Sequence, residues 1–300
     1  MTLRHDLKRG ALLMLLATAL FALMSALVKA LGTRIPFPEL MFFRNAFALP
    51  VVAAIALRRH VTLATRRFPG HVARAMTGMA AMSCSFFALT VLPLAEQTAL
   101  TYSTPLFVII LSIPFLGERP GPHRWGAVLV GFLGILVIAI GQGAFGGGHR
   151  GPPGVAEWLV WAGFAAAAVH GLFSGMTTML VRQLSDTEAS STIVLWQSLL
   201  MTGFSLLVLP FVWVTPTLAE LPLLLAIGLL GGLAQVALTE AYASAQVSSL
   251  GPYSYTALIW AILIGWIAWG ETPTLSMLAG AGLIVAAGLY ILHREMRRRG

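Results

Sequence analysis

Charge is what this chain has least of. Only 10% of its 300 residues are Asp, Glu, Lys or Arg, while 58% are hydrophobic; soluble globular chains carry about 25% charged residues. A water-facing surface cannot be covered with so few charges, so the composition excludes an ordinary soluble domain and reads as a polytopic membrane protein. Cysteine occurs once, at Cys84, which excludes an intrachain disulfide framework, and its apolar neighbours read it as packing rather than redox or metal chemistry. There is no Cys/His cluster with zinc spacing and no Gly-rich Lys-Ser/Thr loop to cradle phosphate. No metal, no cofactor and no ATP-driven cycle carried by this chain alone is therefore expected. Nor is an enzyme expected: a buried nucleophile needs a base and an orienting group, and Ser174, four residues after His170, is the nearest approach to one.

What the chain does have is itself, twice. A shift of 153 positions lays Tyr102 on Tyr255, Phe107 on Trp260, and Gly117-Glu118-x-Pro120 on Gly270-Glu271-x-Pro273. One inserted residue later, Gly126 and Gly134 fall on Gly280 and Gly288, and the ungapped shift also pairs Arg44 with Gln197 and Gly78 with Gly231. A turn-forming landmark followed by the same glycine spacing persuades where apolar identity alone would not. The period far exceeds a solenoid unit and suits the internal repeats of membrane transporters.

Segments of roughly 20 apolar residues are needed to cross a bilayer as helix. Ten such segments are expected, at about 10–31, 38–57, 73–92, 95–116, 124–142, 155–180, 190–213, 221–243, 247–269 and 274–292. The organisation expected is a tail at 1–9, a first five-helix repeat at 10–142, a linker at 143–154, a second five-helix repeat at 155–293 and a basic tail at 294–300. The basic stretch Arg4–Arg9 before the first apolar run resembles a signal peptide, but the run matches a later helix in the second repeat and is read as the first span. Fifteen of the 19 Lys and Arg fall on one side if the N-terminus is cytoplasmic, among them Arg58, Arg59, Arg66, Arg67 and Arg294, against Arg34 and Arg150 on the other. The positive-inside bias then places both termini in the cytoplasm. It also accounts for the net charge of +8 without invoking nucleic acid. Five spans per repeat is an odd number, so the second repeat is inverted relative to the first. The expected fold class is thus all-α integral membrane, with ten transmembrane helices as two inverted five-helix repeats.

Ala88-Leu89, Ala99-Leu100-Thr101-Tyr102, Pro105, Phe115-Leu116-Gly117-Glu118-Arg119-Pro120, Gly126 and Gly134 together resemble the drug/metabolite transporter superfamily, specifically its ten-helix EamA-type exporters. Within these, the chain is similar to the bacterial aromatic amino-acid exporter group. The resemblance implies a multi-pass carrier of the bacterial inner membrane, with a central cavity lined mainly by helices 1, 3, 4, 6, 8 and 9 and working by alternating access. It implies export of small organic solutes, most of all amino acids of several kinds; other metabolites, nucleobases, sugars, drugs or toxic cations, a channel-like facilitator and a non-transporting scaffold stay open as alternatives. The partners implied are a small-molecule solute and the lipid bilayer, with a monomer expected and a dimer left open. Such families carry a proline at matching places in the fourth and ninth spans; here Pro105 aligns with Leu258, and Pro252 lies six residues earlier. Helix bends are expected near Pro105 and Pro252, displaced from one another.

Polar side chains within spans are costly and are functional candidates. His170 leads them: the other six histidines lie in loops or at span ends, whereas His170 lies about 20 Å along its helix from Glu157 at about 1.5 Å per residue. It reads either as a solute contact or as a histidine bonded to a neighbouring helix. Gln235 enters from the same side to a similar depth, while Gln197, beside Trp196, reads as structural. Tyr102, Tyr253, Tyr255 and Trp260 offer aromatic faces to a solute. Trp158, Trp161, Trp213, Trp266 and Trp269 read as an interfacial belt. Lys29, Glu39, Arg44 and Glu96 map to the outer part of the first four spans and read either as a mutually paired gate or as side chains that snorkel to water. Glu240 is the carboxylate furthest inside the second half and a shallow candidate for coupling. Glu118 and Glu271 read as caps of the helices that follow them.

Overall fold

The computed structural model describes residues 7–58, 63–117, 121–141, 155–185, 187–188, 190–244, 250 and 253–299. The linker 143–154, Glu118 and Pro252 lie outside the described residues. Every regular element among the described residues is helical: α1 (Leu7–Leu31), α2 (Phe37–Arg58), α3 (Phe68–Val91), α4 (Leu94–Thr101), α5 (Thr104–Leu116), α6 (Pro122–Gly141), α7 (Glu157–Ser185), α8 (Ser190–Val208) with a 3-10 turn at Leu209–Phe211, α9 (Leu221–Ser244), α10 (Thr256–Trp269) and α11 (Leu275–Arg299). Seven segments are long and apolar enough to cross a membrane, α4 and α5 counting together as one, and three shorter apolar helices lie at Trp125–Gly141, Thr256–Trp269 and Leu275–Ile291.

Helix pairing follows the repeat. The broadest contacts join α3 to α7, α1 to α9, and α6 to α11, and the next join α2 to α9, α2 to α8, α5 to α7 and α1 to α10. Exchanging α1 with α7, α2 with α8, α3 with α9, α5 with α10 and α6 with α11 turns the main pairs into one another: α1–α9 becomes α7–α3, α5–α7 becomes α10–α1, and α6–α11 becomes itself. The cores are therefore shared between halves. One buried cluster takes Met24, Val28, Leu40 and Phe86 from the first half with Leu224, Ile227 and Ala261 from the second; another joins Ala88, Leu92 and Leu100 to Val160, Phe164 and Ile284.

The Gly-Glu landmark has a backbone cause. Gly117 ends α5 at φ 64° and Gly270 ends α10 at φ 66°, a left-handed cap that costs glycine nothing and other residues a steric penalty. At Gly270 the helix is closed by Gly270 N–H to Trp266 O at 2.9 Å and Glu271 N–H to Gly265 O at 3.1 Å. Glu271 does not cap α11, whose first turn is instead bonded by the Thr274 hydroxyl to Met277 N–H at 3.2 Å.

The fourth span is broken where Pro105 demands it. Pro105 has no N–H to give to Thr101 O, and the hydroxyl of Thr104 takes that carbonyl at 2.9 Å. The chain leaves the helix at Tyr102–Ser103 and resumes at Thr104. A matching break comes at Tyr255, the repeat mate of Tyr102, with Leu258 and not proline on the far side. The bend expected near Pro252 lies outside the described residues, while the break at Tyr255 falls in register with the one at Tyr102. Hydroxyls explain it: Thr256 donates to Tyr253 O at 2.7 Å and Tyr102 donates to Ser254 O at 2.7 Å, so each released carbonyl has a partner without proline.

Where α6 crosses α11, Gly134 meets Gly280: a Cβ on Gly134 would stand 2.6 Å from the Gly280 carbonyl oxygen, and one on Gly280 2.5 Å from the Gly134 oxygen. Close approach of two bare backbones supplies the dispersion that drives helix association in lipid. Gly282, two residues on and so on the opposite face, has nothing within 4 Å of its would-be Cβ. Gly134→Ala should therefore destabilise the protein by about 1–3 kcal/mol through overpacking against backbone. Gly282→Ala should be neutral or stabilise by up to about 1 kcal/mol; thermal melting of the two variants in detergent checks both.

Candidate functional site

The two breaks face each other at the centre of the bundle. The Tyr102 and Tyr255 rings lie 4.8 Å apart between centroids, tilted by 48°, and the Tyr255 hydroxyl occupies the space over Gly288 of α11. These mates are thus brought together, with the Tyr102 hydroxyl bonded to backbone. Tyr253 turns away from them and packs with Met14, Ala241 and Leu250. Around the breaks, polar atoms are left over: the Ser103 hydroxyl and the Trp260 indole N–H are buried without a hydrogen-bond partner. Buried polar groups without partners are rare, because each costs the loss of its hydration.

Across the first break lies α7. Gly171 admits the Ser103 hydroxyl and the Phe107 ring, which would stand 2.4 and 2.8 Å from a Cβ there, and Gly175 seats Phe107 one turn on. His170, the residue before Gly171, bonds through Nδ1 to Ala81 O of α3 at 2.9 Å. That contact makes Nδ1 the donor, so the neutral ring carries its lone pair on Nε2. Two turns further along, Thr177 donates to the Thr77 hydroxyl at 2.9 Å, closing the same α3–α7 seam. In the other half the equivalent place is filled: Thr18 of α1 and Thr256 share a hydrogen bond at 2.9 Å. Gln235 and Glu240 on α9 are half-buried and engaged.

At the end of the bundle holding the α1–α2 turn, charged groups tie the halves together. Lys29 bonds Glu271 Oε1 at 2.5 Å and Leu92 O at 2.8 Å, and lies 5.3 Å from the centroid of the Trp269 ring. The other Glu271 oxygen accepts from Leu94 N–H at 3.0 Å. This cluster joins the end of α1, the α3–α4 junction and the end of α10. Of the outer charged residues named from the sequence, Lys29, Glu39 and Arg44 each bond a residue outside that set. Lys29 takes Glu271 from the other half. Glu39 is buried and accepts from Val214 N–H at 2.9 Å with Oε2. Arg44 bonds the side chain of its neighbour Asn45 at 3.0 Å. A signal for the Lys29–Glu271 pair was present in the sequence, since topology puts both at the same face.

Outside the spans, Arg34 grips Glu220 with Nε at 2.6 Å and again through Nη2, and Thr217 donates to the same carboxylate from its backbone and hydroxyl. The opposite end is held by hydrogen bonds that pair no opposite charges: Arg67 to Gln183 O at 2.7 Å, Thr65 to Glu188 at 2.7 Å, and Trp196 to Leu63 O at 3.1 Å. Trp158, Trp213, Trp266 and Trp269 are exposed, whereas Trp161 packs against Phe164. No group of His, Cys, Asp and Glu among the described residues could hold a metal ion.

Apolar helices with broken central spans, leftover polar atoms at the breaks and charged ties at the rim define a polytopic membrane transporter. The chain belongs to the EamA-like transporter family, which matches it twice, at residues 8–140 and 161–293. Relatives include the pseudopaline exporter CntI of Pseudomonas aeruginosa, 31% identical over 285 residues covering 94% of this chain and 95% of that one. The riboflavin transporter of Rhizobium johnstonii is 30% identical over 295 residues, covering 96% and 92%. The S-adenosylmethionine uptake transporter of Rickettsia bellii is 28% identical over 270 residues, covering 90% and 88%. A solved crystal structure superposes with a TM-score of 0.65 over 99% of this chain and 100% of its own at 21% identity, a likeness of fold.

Two measurements test the rim. Glu271→Gln strands a largely buried ammonium, the side chains being 9% and 19% exposed, and should cost roughly 3 kcal/mol of thermal stability, most of it recovered in Lys29→Met/Glu271→Leu. Arg34 first, then Thr217, holds the Glu220 carboxyl down to about 2 from its ordinary 4.5. A depressed folded-state value stabilises above the unfolded one and loses that contribution as pH falls. The wild type should therefore lose stability between about pH 4.5 and 2 with a slope that Glu220→Gln lacks.

Proposed function

We propose that this transporter carries a small polar organic metabolite across the bacterial inner membrane by alternating access, through a pocket between the helix breaks at Tyr102 and Tyr255. The observation that carries this reading is the pair of polar atoms left over there, Ser103 Oγ and Trp260 Nε1 without partners, next to His170, which spends Nδ1 on Ala81 O. Broken helices at mid-membrane with free polar groups are the usual form of a carrier site. Ten crossings in two inverted repeats, with both termini cytoplasmic, are supported by seven long and three shorter apolar helices, by the exchange-symmetric pairing and by the Lys and Arg bias. In that orientation the Lys29–Glu271 cluster closes the outer end, and separating α1 from α10 there would open it.

The amino-acid solutes of several kinds expected from the sequence find no support among the relatives, whose names give pseudopaline, riboflavin and S-adenosylmethionine. We infer a larger solute with several hydrogen-bonding groups, flanked by the paired tyrosines. Relatives named as an exporter and as an uptake transporter occur side by side, so the direction of net flux follows the gradient imposed. Counterflow in proteoliposomes, preloaded with riboflavin, S-adenosylmethionine or mixed amino acids and given trace label without an ion gradient, tests this reading. Accumulation of label is expected for at least one solute; none for any, even with a proton gradient, overturns it. His170→Ala should reduce flux at least about tenfold, as loss of a hydrogen bond within a dry pocket does, while the melting temperature falls only slightly.

A further inference from the structure

Beyond the first turn of any span, three Lys or Arg are described: Lys29, Arg44 and Arg74. Lys29 has Glu271. Arg74, six residues into α3, is buried with Nε and Nη1 unpartnered; Arg44 differs in having its guanidinium held by a side-chain amide. It lies seven residues into α2, about 10 Å along the axis at about 1.5 Å per residue, and no carboxylate among the described residues forms an ion pair with it. Its Nη1 bonds Asn45 Oδ1 at 3.0 Å, and its Nε is buried with no partner. Asn45 is itself held by Ser205 at 3.3 Å, and Ser205 by Met201 O at 2.8 Å, so the amide oxygen that fixes one end of the guanidinium is fixed in turn.

The other side of Arg44 is cut out of α9. Gly231 has no side chain, and a Cβ there would meet Met24 Sδ at 2.9 Å and Arg44 Nε at 3.1 Å. The missing side chain leaves room for Arg44 Nε beside Met24 of α1 and against α9, so the guanidinium is packed among helices rather than extended to water. With Nη1 occupied by Asn45, the edge left over is the one formed by Nε and Nη2. That edge presents two parallel N–H donors, the geometry that grips a carboxylate with both oxygens. A guanidinium with no counter-charge is costly inside a membrane and marks a site where a charge arrives from elsewhere.

We propose that Arg44, cradled by Gly231 and oriented by Asn45, is the anchor for a carboxylate on the transported solute. The inference rests on the transport reading and narrows its solute class to carboxylate-bearing metabolites. The second repeat holds Gln197 at the place of Arg44, so the scaffold already accepts an amide there, and Arg44→Gln is the least disturbing neutral replacement.

The test compares solutes that differ in the carboxylate alone: S-adenosylmethionine with its decarboxylated form, and L-methionine with methionine amide, each as competitor in counterflow and as ligand in thermal melting of the purified full chain. Wild type should favour the carboxylate member by roughly tenfold or more. Arg44→Gln should lose that preference, and Arg44→Lys should keep part of it. Gly231→Ala, which leaves the charge and displaces it, should weaken it as well. A wild type that treats both members alike while carrying an uncharged solute such as riboflavin overturns the anchor and leaves the transporter standing, whether or not the variants fold. An Arg44→Gln protein that keeps the full preference overturns it too. No flux of any solute removes the transport reading and the anchor with it.

Discussion

A helix interrupted in the middle of a bilayer releases backbone groups that lipid cannot bond, and that constraint organises this molecule. Each break has its own answer. At the first, Thr104 covers the carbonyl that Pro105 leaves free; at the second, Thr256 and the Tyr102 hydroxyl cover Tyr253 O and Ser254 O. Because Tyr102 serves the second break from the first, the second is incomplete without the other half. The crossing of the two breaks then fixes where unsatisfied side chains can be kept, and Ser103 and Trp260 lie beside it.

Much of the architecture was legible in the sequence because the features that encode it are local. Glycine at φ 64° and 66° must be glycine, so the Gly-Glu landmark announced two helix ends 153 residues apart. The apolar segments announced spans, because length and hydrophobicity alone decide whether a helix can cross a bilayer. Partner choice was less legible. Lys29, which the sequence offers either to a gate with Glu39, Arg44 and Glu96 or to water, meets Glu271. Inverted pairing brings the end of α1 to the end of α10, and no local pattern states that. Tyr253, two residues from Tyr255, packs in another cluster, because leaving the helix at Tyr255 turns the two side chains apart.

The proline argument shows the same limit from the other side. Pro105 has no mate at Leu258, and from that the second bend was expected to be displaced. The structure keeps the break at Tyr255 because proline is only one way to free a carbonyl; a threonine hydroxyl three residues on serves as well. Sequence symmetry therefore understates structural symmetry wherever two chemistries satisfy one backbone requirement.

Symmetry of backbone need not bring symmetry of charge. The pairings that exchange on swapping halves are made by small and apolar residues, as at Gly134 and Gly280, where close approach leaves little choice. Arg44 and Gln197 occupy equivalent places yet differ by a full charge, since the seams they occupy do not need one. A scaffold held by dispersion and backbone satisfaction is free to put a cation on one side of its pseudo-axis alone. An asymmetric solute, with an acidic end and a neutral one, then has one preferred orientation between two halves that share a single backbone plan.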